Sequence, residues 1–128
     1  MIRNTLTRIG TIVAVYGSQN SGGFLLGGSE NDWHRGTVGW DGGVPSALTS
    51  TILGGSSKET VKTGSWRMNG SPIAPLESYL SGGWDILDMN VAGDPSKANG
   101  IAMDGRTETW CLDRMGGQRL AELIICNR

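Results

Sequence analysis

Hydrophobic and polar residues along this chain sort into short runs punctuated by glycine. The runs are "GTIVAVYG" (10–17), "GGFLLGG" (22–28), "RGTVGWD" (35–41), "ETVKTGSWRMNG" (59–70), "GGWDILDMNVAG" (82–93), "RTETWCLDRM" (106–115) and "GQRLAELIIC" (117–126). Short, regularly spaced runs with turn residues between them predict antiparallel strands in a sandwich or barrel. Several alternate with period two. Trp110 and Leu112 share one face of their run, opposite Cys111 and Asp113. In the 82–93 run, Trp84, Ile86, Asp88 and Asn90 oppose Asp85, Leu87, Met89 and Val91, so both rows mix polar with apolar.

The closing segment is the one serious helix candidate. Leu120, Leu123 and Ile124 have the i, i+3, i+4 spacing of a helix face, and Arg, Leu, Ala and Glu favour helices. Against this, Gly116-Gly117 opens the segment like a hairpin turn, and Ile-Ile-Cys prefers an extended chain. Local pattern leaves strand and helix both open.

Composition narrows the class. A chain of 128 residues suits one domain, 1–128, with a real core. Glycine, at 21 residues, is more than twice as frequent as the ordinary ~7% and has no Gly-X-Y period. Eleven basic against twelve acidic residues give net charge −1, so there is no basic field for nucleic acid. No apolar run approaches the ~20 residues of a membrane span, and membrane insertion is not expected. The opening "MIRNTLTRIGTIVAVYGS" is interrupted by Arg8 and reads as a strand, not a secretory leader. "SSK" (56–58) and "PSKANG" (95–100) read as exposed loops, and the twice-occurring "LGGS" as shared turn chemistry. Cys111 and Cys126 are too few for a disulfide framework, and a turn at 115–118 would hold them apart. They are expected to be free, mostly buried thiols, which implies synthesis in a reducing cytoplasm.

Familiar chemistries are scarce. No G-x-G and no G-K-[ST] occurs, which removes the nucleotide fingerprints. His34 is the only histidine and no C-x-x-C occurs, which removes the usual zinc sites; no G-x-S-x-G accompanies His34 for a serine triad. Glycoside hydrolysis needs two carboxylates facing one another. Asp85 and Asp88 are three apart and Glu108 and Asp113 five apart, so in strands each pair faces opposite ways. No enzyme is expected. "NGS" (69–71) is a glycosylation sequon, set aside because Pro72 follows it.

Five tryptophans stand against one phenylalanine. Trp66, Trp84 and Trp110 sit within strand patterns and are expected in the core. Trp33 and Trp40 flank the polar stretch "ENDWHRGTVGWDGG" (30–43). Trp33, His34, Arg35, Trp40 and Asp41 join aromatic faces to planar hydrogen-bonding groups, the combination that binds sugars. They are the candidate glycan-binding residues, against the alternative of an ordered loop capping a sheet edge. Asp32 and Asp41 are the available Ca²⁺ ligands, but they lack EF-hand spacing. No cofactor is otherwise expected.

Taken in series, "TIVAVYGSQNSGGFLLGG" with "WHRG", "SWRMNG", "GGWDILDMNVAG" and "GGQRLAELIICNR" resembles the concanavalin A-like, laminin-G-like lectin superfamily. Members often end in a strand patterned "F-x-G-x-I-A-E-h-x-h-Y-N-R", h being apolar; Met115 to Arg128 matches it, with Cys126 at the tyrosine position. The resemblance implies an all-β fold, an antiparallel two-sheet β-sandwich (jelly roll), and makes the closing run its last strand, covered on both faces. It does not imply an activity. The paired acidic motif of the family's glucanases is missing. Against the family pattern, the chain is also expected to lack the opening strand and the segment after the closing pattern, which would leave a sheet edge open to another chain. Cytoplasmic synthesis of a protein type that usually acts outside cells leads to one expectation. This is a non-enzymatic structural or adhesion protein on a virus particle surface, a bacteriophage capsid decoration or tail-fibre component. Its partners would be virion structural proteins or further copies of itself. The alternative is a free-standing, extracellular carbohydrate-binding module directed at cell-surface glycans.

Overall fold

The computed structural model describes residues 6–18, 26–27, 51–55, 57–94, 96–98, 100–101 and 118–127. The described chain is mostly antiparallel strand. In order, the elements are β1 (Leu6–Ser18), β2 (Leu26–Gly27), α1 (Glu59–Lys62), β3 (Ser65–Met68), β4 (Ser71–Pro72), β5 (Trp84–Asn90), β6 (Ser96–Ala98), β7 (Gly100–Ile101) and β8 (Gln118–Asn127). A six-stranded sheet has the order β4-β3-β5-β1-β6, with β8 also paired to β1; β2 and β7 form a separate two-stranded ladder. The runs at 35–41 and 106–115 lie outside the described residues.

β1 carries partners along both edges. Thr11 to Gly17 pair with Asn90 to Trp84 of β5, and the same residues pair on the other side with β8, from Cys126 to Arg119. β6 continues the β5 edge, with Ile9 opposite Ser96 and Leu6 opposite Ala98. The closing segment is therefore a strand. Its helix-like spacing has a specific cause. Val15 opposes Glu122 and Tyr16 opposes Leu120, so Ala121 is an extra, bulged residue. A bulge reverses the alternation, which puts Leu120 on the same face as Leu123 and Ile125; all three pack against the core. A second bulge at Gly10, where Ile9 opposes Asn127 and Thr11 opposes Cys126, brings Ile9 onto the face of Ile12, Ala14 and Tyr16.

That inner face holds the core. Ile9, Ile12, Ala14 and Tyr16 of β1 meet Leu87 and Met89 of β5 and Trp66 of β3, with Val91 beyond β5, and Ile52, Leu53, Val61 and Leu80 complete the cluster. Trp66 takes the expected core position, and its indole Nε1 donates to the Val61 carbonyl at 2.8 Å, tying α1 to β3.

Three local expectations are corrected. The 59–70 run is not one strand: residues 59–62 form a helical turn, a Glu59–Lys62 ion pair at 2.8 Å spans it, and the strand starts at Ser65. The break falls at Gly64, where a Cβ would lie 2.1 Å from the Asn90 carbonyl oxygen, so only glycine permits this approach. Of the supposed loops, Ser57 is buried and Ser96–Ala98 is β6, held by β1. Finally, β8 is not covered on both faces: Ala121, Glu122, Ile124 and Cys126 are exposed, because among the described residues nothing packs on its outer side.

Two variants test this account. Gly64→Ala must push apart α1 and the end of β5, and chemical denaturation should register a loss of about 3 kcal/mol. Deleting Ile124 to Arg128 removes four of the nine residues of β8 that pair with β1, Ile125 among them, and should abolish cooperative thermal unfolding; a truncated chain that still melts cooperatively would refute the role given to β8.

Candidate interaction surface

The outer face of the sheet carries two zones that meet at Val13 and Val15, where Asp88 lies opposite Val13 and exposed Glu122 opposite Val15. One is apolar. Trp84 and Ile86 of β5 lie beside Gly17 and Val15 of β1, and Val13 lies beside Ile124 of β8. Trp84, Ile86 and Ile124 are 54%, 50% and 47% exposed, while Val13 and Val15 are half-buried. The other zone is polar. Thr11 Oγ1 donates to Asn90 Oδ1 at 2.6 Å, and Asn90 Nδ2 reaches Asp88 Oδ1 at 3.4 Å. Exposed Ser65 and Arg67 of β3 stand opposite Asn90 and Asp88.

Trp84 was expected in the core and is not there. The alternation that buries Asp85, Leu87 and Met89 sends Trp84 and Ile86 outward. The indole lies over Gly17: a Cβ there would come within 3.0 Å of two of its ring carbons. A side-chain-free position on the neighbouring strand thus gives the ring a seat and leaves much of it facing solvent. Sequence alternation alone separated the two rows of β5; what it could not say was which row faces the core, since each mixes aspartate with large apolar residues.

Asp85 is the costly member of the inward row. Its side chain sits on the inner row, 1% exposed, at the end of the core. The carboxylate is satisfied from both sides: Asn69 Nδ2 donates to Oδ1 at 3.0 Å, while Ser81 N and Oγ donate to Oδ2 at 2.8 and 3.0 Å. Asn69 Oδ1 in turn accepts from Ile86 N at 2.8 Å, and Ser81 Oγ accepts from Gly83 N at 3.1 Å. These bonds fix the 81–83 turn before Trp84 and the Asn69-Gly70 turn that joins β3 to β4. Asp85 and Asp88 face opposite sides of the sheet, as their spacing requires, so they do not form a carboxylate pair.

Among the described residues no group of three or more His, Cys, Asp or Glu side chains is placed to hold a metal ion, and no helix is long and apolar enough to cross a membrane. The candidate glycan-binding residues Trp33, His34, Arg35, Trp40 and Asp41 lie outside the described residues, as do Asp32, Glu108, Trp110, Cys111 and Asp113. Cys126 is a free thiol but is exposed rather than buried, because its position on β8 shares the outer side with Ile124. Comparison with protein-family models, curated proteins and solved structures finds no match for this chain.

The Asp85 geometry makes a substitution test. Every donor converges on two acceptor oxygens, so Asp85→Asn turns one of them into a donor facing a donor, and Ser81 N cannot reverse. Asp85→Asn should cost about 2 kcal/mol and Asp85→Ala about 3 kcal/mol by denaturant unfolding. Equal stability of all three proteins would mean that the buried carboxylate is dispensable.

Proposed function

We propose that this chain is a non-enzymatic structural or adhesion protein on a virus particle surface, a capsid decoration or tail-fibre component, built on a two-sheet lectin-like sandwich. The observation that carries the reading is the outer zone of Trp84, Ile86, Val13, Val15 and Ile124, which gathers large apolar side chains on a rigid strand platform in contact with solvent. Grouped apolar exposure of this kind marks an association surface. Its partner is a second copy of the chain or another virion structural protein. The long β8, whose one described partner is β1, offers an adjoining sheet edge for the same purpose. Within the proposed sandwich, the inner face of Ile12, Ala14, Tyr16, Leu87 and Met89 is the face onto which a second sheet packs.

Carbohydrate binding is the second reading, favoured by the seated, solvent-facing Trp84 ring, since apolar sugar faces stack on such surfaces.

The test uses the full chain. Size-exclusion chromatography with light scattering, and co-sedimentation with capsids or tails, should detect assembly. Trp84→Ser with Ile86→Ser should abolish it while leaving the unfolding midpoint within a few degrees, because both residues lie outside the core. A strict monomer that binds neither capsids nor tails would overturn the virion reading. Glycan-array binding lost in Trp33→Ala, Trp40→Ala or Trp84→Ser would establish the second reading in its place.

A further inference from the structure

We propose that Asn69-Gly70 is a site of spontaneous deamidation that the fold holds in check, and that its conversion would dismantle the Asp85 network. In an Asn-Gly pair the glycine backbone nitrogen is unhindered by a side chain and can attack the asparagine side-chain carbonyl. The Gly70 N–Cγ bond forms, the Cγ–Nδ2 bond breaks, and the amide nitrogen leaves as ammonia after taking up the displaced proton. Water then opens the cyclic imide at either carbonyl, giving aspartate or isoaspartate at 69.

Both residues are solvent-exposed at the tip of a two-residue hairpin turn, with φ of +52° at Asn69 and +82° at Gly70. Water and hydroxide therefore reach the peptide freely. What restrains the reaction is the side chain's own set of bonds. Asn69 Nδ2, the leaving group, donates to the buried Asp85 Oδ1 at 3.0 Å, and Oδ1 accepts from Ile86 N at 2.8 Å. Asn69 N also donates to the Ile86 carbonyl at 2.9 Å. The amide plane is thereby held against β5, and attack by Gly70 N requires breaking at least the bond to Asp85 and the bond from Ile86.

The product fits this place badly. Aspartate at 69 sets a second carboxylate against the Oδ1 of Asp85, where a donor had been, in a site closed to solvent on the Asp85 side. Isoaspartate adds a backbone carbon to a two-residue turn whose register, Met68 opposite Ser71, has no room for it. Either product frees the end of β3 from β5 and with it the segment leading to Trp84.

The experiment incubates the full chain at neutral pH and physiological temperature, folded and in urea, and follows the tryptic peptide beginning at Met68 by mass spectrometry with isoaspartate detection. The expected result is conversion at Asn69 in urea and at least about tenfold slower conversion in the folded protein, since reaction must then pass through local opening. The directly made product, Asn69→Asp, should unfold at a clearly lower urea concentration than the parent. Equal rates in both states, or no conversion in urea, would overturn the restraint; an Asn69→Asp chain as stable as the parent would overturn the claimed consequence.

Discussion

The described structure depends on β1 being hydrogen-bonded along both edges. A strand in that position cannot shift its register without moving β5, β6 and β8 together, because each residue from Thr11 to Gly17 has a counterpart on either side. The constraint assigns faces throughout the sheet. Once Ile12, Ala14 and Tyr16 are inward, the facing residues Met89, Leu87 and Asp85 are inward too, and so are Ile125, Leu123 and Leu120. A one-residue slip would bring Trp84, Ile86 and Asp88 into the core and expel Leu87 and Met89.

Asp85 is the point where this assignment is costly. Burying a carboxylate is unfavourable unless every oxygen is met by donors. The fold meets the requirement with two turns that the chain needs anyway, Asn69-Gly70 and 81–83, whose donors converge on the carboxylate from opposite sides. The buried charge is therefore also a clamp: it fixes the end of β3 and the approach to β5 in one geometry. A purely apolar residue in its place would leave Asn69 Nδ2 and Ser81 N without their acceptors. Register specificity is a reasonable return for the desolvation involved, since no slipped pairing would place those donors around Asp85.

The strand content and the places of β1, β5 and β8 were legible because glycine punctuation and period-two alternation are local signals, although β1 begins at Leu6, four residues before Gly10. The bulges were not. Ala121 and Gly10 each add one residue to a strand, and a one-residue insertion converts an i, i+2 pattern into i, i+3, which imitates a helix in the Leu120–Leu123 pair. The helical turn at 59–62 was hidden for a different reason. Its neighbours in sequence are a strand and a glycine whose necessity comes from the Asn90 carbonyl, far away along the chain. Trp84 was misplaced because its environment depends on Gly17 of another strand. In each case the deciding atom belongs to a partner segment that no local pattern names. The glycan-binding candidates at 33–41 lie outside the described residues, so Trp84 is the solvent-facing tryptophan that the described structure contributes.

The outer face follows from the same constraint as the core. Because β1 fixes which row of β5 is inward, it also fixes which apolar residues are left over, and these are large: Trp84, Ile86 and Ile124. A sheet with one face solvated would ordinarily carry polar residues there. Here Thr11, Asn90 and Asp88 bond to one another at one end of the face, while Asp88 also flanks Val13 and exposed Glu122 flanks Val15. Trp84, Ile86, Val15, Val13 and Ile124 are nonetheless neighbours across three strands, so covering them from one direction removes apolar surface from water. Gly17 sharpens the argument, since the seat it gives Trp84 orients a bulky ring that serves no purpose in the core. The physical cost of keeping this zone exposed is what supports the proposed association surface.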